Sequence, residues 1–174
     1  ELVAWAAKEC FVPLTIGGGI RTVQHIRDLL KAGADKVCLN SVVYDHEAFI
    51  TEAAAVFGCQ CITVSIDAIE TPDGYRVFNH LTRTILPQTP AEQARRLEGL
   101  GAGEIFLNSV DRDGCRQGYD LALLRSVASE VSIPVIACGG VGKMADLAAG
   151  VLQGGCQAVA AANIFQHTEH STIA

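Results

Sequence analysis

The 174-residue sequence lacks several features that would each have fixed its class. No stretch approaches the roughly 18 consecutive apolar residues of a membrane span, and no basic segment leads into an apolar core at the start. Neither insertion nor export is marked, and a cytoplasmic protein is the expectation. Neither charge sign forms a block: 13 Lys and Arg stand against 19 Asp and Glu, a formal net charge of −6. That balance argues against a nucleic-acid-binding field, so any phosphate must be held locally. The seven cysteines (Cys10, Cys38, Cys59, Cys61, Cys115, Cys138 and Cys156) are odd in number, lack CxxC spacing and mostly sit in or beside apolar runs. Reduced, buried thiols are expected, not zinc ligands or disulfides. The sequence has no initiator Met, and its opening, ELVAWAAKEC, reads as the last turns of a helix already under way, as in a fragment. What is present, 49% hydrophobic and 18% charged residues with 17 glycines, is a globular composition and excludes disorder as the main state.

Apolar runs of strand length recur at residues 12–16, 36–39, 61–66, 104–107, 134–137 and 158–162, each followed by a stretch with helical periodicity. Val23, Ile26, Leu29 and Leu30 share one helical face, as do Phe49, Ile50, Ala53, Val56 and Phe57. Thr89-Pro90-Ala91-Glu92 is a capping box with Pro at the first helical position, Gly58 can end a helix, and Asp120 can cap the one carrying Leu123, Leu124 and Val127. Six βα units follow, and nearly continuous apolar strands imply a parallel α/β sheet, either a (β/α)8 TIM-type barrel or an open doubly wound sheet. An internal repeat favours the barrel. Residues 12–20 (VPLTIGGGI) align with residues 133–141 (IPVIACGGV), each leading to a helix, a glycine turn and a second strand. Two copies roughly 120 residues apart suit a barrel built from two similar halves. On this register residues 1–174 form a single partial barrel domain of about the last six βα units, without the first two strands and the last helix. The one insertion, residues 68–80, reads as a hairpin over one end, turning at Pro72-Asp73-Gly74.

In such barrels the chemistry lies at the carboxyl ends of the strands. Those positions hold Gly17 to Gly19, Asn40-Ser41, Asp67, Asn108-Ser109, Cys138 to Gly140 and Asn163. Glycine lets backbone N–H groups approach an oxyanion, and the following helix directs its N-terminal dipole at the same point, so two related GG loops point to a ligand with a phosphate at each end. A bulky residue at Gly140 is expected to weaken binding of that ligand more than the fold. Asp67 ends the strand ITVSID, placing a carboxylate at the barrel mouth for acid/base work, or satisfied there by neighbouring amides. Asp111 and Asp113 flank Arg112 and either pair with it or leave one to orient a substrate. His167-Thr168-Glu169-His170 lacks HExxH spacing and a third ligand, so no metal is expected, and a helix start is read there.

With these residues in view, the sequence resembles the cyclase-subunit family of imidazole glycerol phosphate synthase, through VPLTIGGGIRT, AGADKVCLNS, FGCQCITVSIDA, LGAGEIFLNSVDRDG, QGYDL and SIPVIACGGVGK. DRDGxxxGYD together with GADKVxxN separates it from the sister isomerase of histidine biosynthesis. The resemblance implies a lyase on a (β/α)8 barrel. Such an enzyme adds ammonia from a glutaminase partner to a ribulosyl-formimino aminoimidazole carboxamide ribonucleotide bearing two phosphates, giving imidazole glycerol phosphate and the aminoimidazole carboxamide ribonucleotide. No cofactor is implied. By position, Asp67 matches the catalytic aspartate of the fifth strand. Gly19, Asn40 and Ser41 match one phosphate site, and Gly114, Gly140, Ala162 and Asn163 match the other, with Asp113 at the rim. At the opposite face, Lys36 and Glu104 match members of a charged gate for ammonia, and Asp35 matches a residue facing the glutaminase.

The departures from the family open two further readings. The second catalytic aspartate belongs to the first strand, and Asn108, Cys138 and Asn163 stand where Thr, Ser and Ser are usual. The segment NHLTRTILP at residues 79–87 replaces a glycine-rich, lysine-containing loop. Asn108, Cys138 and the tail NIFQHTEHST resemble a paralogous branch found with surface-polysaccharide genes, in which ammonia is delivered to a sugar. A third reading is a non-catalytic barrel that docks and activates a glutaminase, against which retained Asp67 and both GG loops argue.

Overall fold

The computed structural model describes residues 2–166. A lone helix, α1 (Leu2–Glu9), precedes β1 (Thr15–Gly17), and the chain then runs through α2 (Val23–Lys31), β2 (Lys36–Leu39), α3 (Val42–Asp45), α4 (Phe49–Phe57) and β3 (Ile62–Thr71). A hairpin strand β4 (Gly74–Asn79) and a short β5 (Thr84–Ile85) intervene before α5 (Pro90–Leu100) and β6 (Glu104–Ser109). The remainder is α6 (Leu121–Ala128), β7 (Val135–Cys138), α7 (Met144–Leu152), β8 (Ala158–Val159) and α8 (Asn163–Gln166).

Local chemistry sets these boundaries. Thr22 caps α2 by accepting the His25 N–H at 3.1 Å, Thr89 and Glu92 close the expected box on α5, and Asp120 accepts the Leu123 N–H at 3.0 Å to start α6. Gly58 ends α4 at φ +84°. β1 is shorter than the sequence reading, because Pro13 has no N–H to give and the Leu14 N–H goes to the Asp35 carboxylate at 2.7 Å. β8 is likewise cut to two residues, although the Ala160 N–H still reaches Ala137 O at 2.7 Å. The strand β5, unforeseen in the sequence, pairs Phe78 with Ile85 and Asn79 with Thr84.

The six parallel strands lie in the order β1-β2-β3-β6-β7-β8, with β4 antiparallel to β3. This order never reverses, which excludes the doubly wound sheet and its switch point and leaves the (β/α)8-type arrangement. The sheet is open: among the described residues β1 and β8 each have one strand neighbour. Burial alternates with period two along β2, β6 and β7, while the central β3 also buries Thr63 and Asp67. Val37, Leu39, Val64, Ile66, Ile105, Leu107, Val135 and Ala137 are buried, packed in one cluster with Ile26, Phe49, Ile50, Leu97, Leu123, Leu124 and Val127 of the helices. Their neighbours Cys38, Ser65, Phe106, Ile136 and Cys138 are only half-buried. The dry core therefore lies between strands and helices, and the concave face is partly wet. No described helix is long and apolar enough to cross a membrane. The seven thiols are free as expected, but only Cys156 is fully buried, while Cys59 and Cys115 are exposed.

Candidate active site

The concave face carries polar groups at both ends of its strands. At the strand starts, Lys36 Nζ donates to Glu104 Oε1, and Thr63 Oγ1 donates to the other carboxylate oxygen at 2.9 Å. These two charges, predicted as a gate, thus meet across the intervening strand β3. Asp35 is exposed beside them, and its carboxylate holds the start of β1 through the Leu14 N–H.

Four residues further along each strand, about 13 Å away at the usual strand rise, Asn40, Asp67 and Asn108 form a second rung. Asn40 Nδ2 donates to Asp67 Oδ2 at 2.9 Å and Asn108 Nδ2 donates to Asp67 Oδ1 at 3.1 Å. The residue is only 9% exposed, and its carboxylate at the strand end is satisfied by neighbouring amides, one of the two readings the sequence left open. With their NH2 groups turned to Asp67, the two amides leave Asn40 Oδ1 and Asn108 Oδ1 buried without a partner among the described residues. Burial and the Asp67 charge push the Tyr44 phenol up to about 12. Burial first, then Asp67 and Glu104, push the Cys38 thiol up to about 11. Burial first, then Asp113 and to a lesser degree Asp67, push Cys138 to about 11. The mouth is a desolvated place where added negative charge is disfavoured.

Two cavities open at the strand ends, one on either side of β3 in the strand order, and Asp67 lines neither of them. One, of about 470 Å³, is lined by Gly19, Asn40 and Ser41 together with Cys38 and His80. The other, of about 40 Å³, is lined by Asp113, Gly114, Cys138, Gly140 and Ala162. The two residue groups assigned from sequence to separate anion sites are therefore assembled as two separate cavities. Asn163 begins α8, and its side chain lies outside the described residues, as do His167-Thr168-Glu169-His170. Among the described residues no cluster of three His, Cys, Asp or Glu could hold a metal.

The repeat-related loops are not equivalent. Gly18 and Gly19 have φ of +99° and +69° with open space where a Cβ would stand. Gly139 and Gly140, at +92° and +103°, are pressed against backbone: a Cβ would lie 2.6 Å from Ser109 O and 2.3 Å from Gly118 O respectively. The helix dipoles differ as well. Asp146 accepts the Gly142 and Lys143 N–H groups at 2.9 and 3.0 Å, so a carboxylate already occupies the start of α7 that the sequence reading aimed at the second site. Arg112 pairs with neither flanking aspartate. Asp111 accepts the Glu70 N–H at 2.7 Å and braces the hairpin, and Arg112 reaches Gln117 at 3.5 Å.

His80 was not read as a site residue. Its Nδ1 lies 3.2 Å from Asp67 Oδ2. The signal was the hairpin itself: a strand folding back on β3, with Val77 opposite Ala68, returns the residues after it to the level of Asp67.

Residues 1–172 match the family described as Histidine biosynthesis protein. Over 174 residues, all of this chain and 64% of the relative, the sequence is 59% identical to a protein of Vibrio vulnificus (strain YJ016) named "Putative imidazole glycerol phosphate synthase subunit hisF2". The chain thus spans just under two thirds of the length of that curated relative.

Proposed function

Because the chain belongs to the histidine biosynthesis protein family, we propose that it is part of an ammonia-dependent cyclase of the imidazole glycerol phosphate synthase type. In this reading residues 1–174 supply the last six βα units of an eight-unit barrel whose first two strands and last helix lie outside them. The substrate is the two-phosphate ribulosyl-formimino aminoimidazole carboxamide ribonucleotide, and a glutaminase supplies ammonia at the strand-start face, where Lys36, Glu104 and Asp35 lie. Gly19, Asn40 and Ser41 take one phosphate. Asp113, Gly114, Gly140, Ala162 and Asn163 surround the other.

The observation that carries the reading is Asp67 at the mouth between two cavities, each containing one copy of the repeated glycine loop. A ligand with phosphates at both ends would span them and present its middle to Asp67, which shares acid and base roles with an aspartate from the first strand. Asp67→Asn keeps the shape of the side chain but cannot exchange a proton, so ammonium-driven turnover is expected to fall on the order of 10²- to 10⁴-fold, while the fold is retained with a small loss of stability, about 1 kcal/mol, because one amide donor then faces an NH2 group. Near-normal cyclisation by this variant would refute the role. The sugar-directed paralog is the second reading, favoured by the Asn108 amide on Asp67 and by His80 in place of the lysine-containing loop. Turnover of an oxo-sugar and not of the ribulosyl substrate would select it.

A further inference from the structure

The segment that departs most from the family's loop pattern delivers a titratable group to the site. After β4, Asn79 Oδ1 accepts the Leu81 N–H at 3.0 Å and the Thr82 N–H at 3.4 Å, a side-chain turn that fixes the residue between. His80 is that residue. Its ring lines the larger cavity beside Gly19, Asn40 and Ser41. The Asp67 side chain is 12% exposed and the His80 side chain 46%, so the carboxylate is enclosed while the imidazole reaches the space a ligand would fill.

Both oxygens of Asp67 already accept amide N–H groups. This suits the carboxylate to hold a neighbour in place. An imidazole whose Nδ1–H is given to a carboxylate has its tautomer and direction fixed, with Nε2 left free to take a proton. The other charged or titratable side chains around this cavity are Arg21, Cys38, Asp45 and His46, with Tyr44 beside Asp67. Of these, none but His80 bonds to Asp67 among the described residues.

We propose that His80 is a further proton carrier in this site, beside Asp67, which also holds its ring in place. The proposal rests on the ammonia-dependent reading above. As the nitrogen lone pair of ammonia forms the N–C bond to a carbonyl carbon of the acceptor, the C=O π pair moves to oxygen. The proton leaves nitrogen for His80 Nε2 and passes from there to that oxygen. The product is a neutral carbinolamine, His80 returns to its starting form, and no further reactant enters.

Two measurements on the full chain test this. In ¹⁵N-labelled protein the imidazole shifts report the tautomer, which should be Nδ1–H; this is read in the unmodified chain and needs no variant to fold. Asp67→Asn should change the ¹⁵N pattern of His80, because an amide can donate as well as accept and no longer fixes which ring nitrogen bears the hydrogen. An Nε2–H tautomer, or a His80 spectrum that Asp67→Asn leaves in place, overturns the pairing. In turnover of the ribulosyl substrate with ammonium chloride, His80→Ala should lower kcat by roughly 10²-fold or more with KM little changed, and imidazole in the buffer should restore part of it. A His80→Ala protein as active as the parent, or a loss that imidazole does not touch, overturns the proposal. Tautomer and coupling as expected, with no turnover of that substrate by the parent, would uphold the pair and refute the acceptor instead.

Discussion

The two glycine loops share one repeated pattern yet should respond very unequally to the same substitution. At Gly140, φ is +103° and an added Cβ would sit 2.3 Å from Gly118 O, about 1 Å inside ordinary C···O contact. The obstacle is backbone, and it is tied down, since the Gly118 N–H donates to Gly140 O at 2.7 Å. Relieving the clash loosens that bond, at about 1 kcal/mol. Left-handed backbone on a non-glycine residue costs about 1 kcal/mol more, and overpacking adds roughly 1–3 kcal/mol. Gly140→Ala should therefore destabilise the chain by about 3–5 kcal/mol. At Gly19, with φ +69° and nothing within 4 Å, only the backbone strain of about 1 kcal/mol applies. For a chain of this size about 1 kcal/mol moves Tm by roughly 2–4 °C, so the two variants should separate clearly in urea and thermal melts followed by far-UV circular dichroism. Inorganic phosphate added to the Gly19→Ala protein should then show weakened binding without loss of fold. The sequence expectation that a substitution at Gly140 harms binding before folding is reversed by this packing. A Gly140→Ala protein melting within a degree or two of the parent, or a Gly19→Ala protein melting as low, would refute the argument.

Tyr75→Phe removes the 2.8 Å hydrogen bond that ties the hairpin to the α6 cap at Asp120 and should lower stability by about 1 kcal/mol in urea melts; Asp120→Ala, which also removes the Leu123 N–H acceptor, should cost more. Burial raises Cys38, Cys138 and Cys156 from the ordinary 9.0 to about 11. Their contribution to stability is therefore fully present below pH 9 and lost as pH rises through about 11, which melts at pH 8 and pH 10.5 will show. Iodoacetamide at pH 8 should label exposed Cys59 and Cys115 well before these three, as read by peptide mass spectrometry. Expressed alone, residues 1–174 should self-associate through the open edges at β1 and β8, where Phe11 is 97% and Leu152 82% exposed. A monodisperse, cooperatively melting monomer by light scattering would count against that.

Much of the architecture was legible because it rests on short-range signals. The capping box at Thr89, the cap at Asp120 and the helical faces of 23–30 and 49–57 each involve residues a few positions apart, and all appear where expected. Strand lengths at the edges were not legible. Residues 12–14 and 160–162 have strand-like composition, but extended pairing requires a neighbour, and among the described residues β1 and β8 have one each. The site was legible to the extent that it lies on strand ends. Asp67, Asn40 and the two glycine loops were placed by the rule that barrel strands deliver their last residues to the mouth. His80 escaped because its position depends on the register of β3 with β4, a pairing set by where the turn falls. The roles of Asp111 and Asp146 escaped for the same kind of reason: each carboxylate is taken up by backbone N–H groups, one of them 41 residues away.

The placement of the core explains why chemistry and stability can be separated here. The buried cluster lies between the convex face of the sheet and the helices, built from Val37, Val64, Ile105 and Val135 against Ile26, Ile50, Leu97 and Leu124. Asp67, Asn40, Asn108, Cys38 and Cys138 belong to the opposite, concave face, most of which is only half-buried. Removing a methyl or methylene from the first group leaves a cavity in close-packed surroundings, so Leu124→Ala falls in the class costing about 2–5 kcal/mol. Exchanging Asp67 for Asn, or the half-exposed His80 for Ala, alters hydrogen bonds at the mouth and replaces no packed apolar volume. The period-two alternation along β2 thus assigns successive residues to different tasks: Val37 and Leu39 hold the helices on, while Lys36, Cys38 and Asn40 between them form the polar surface that runs from the Lys36–Glu104 pair to Asp67.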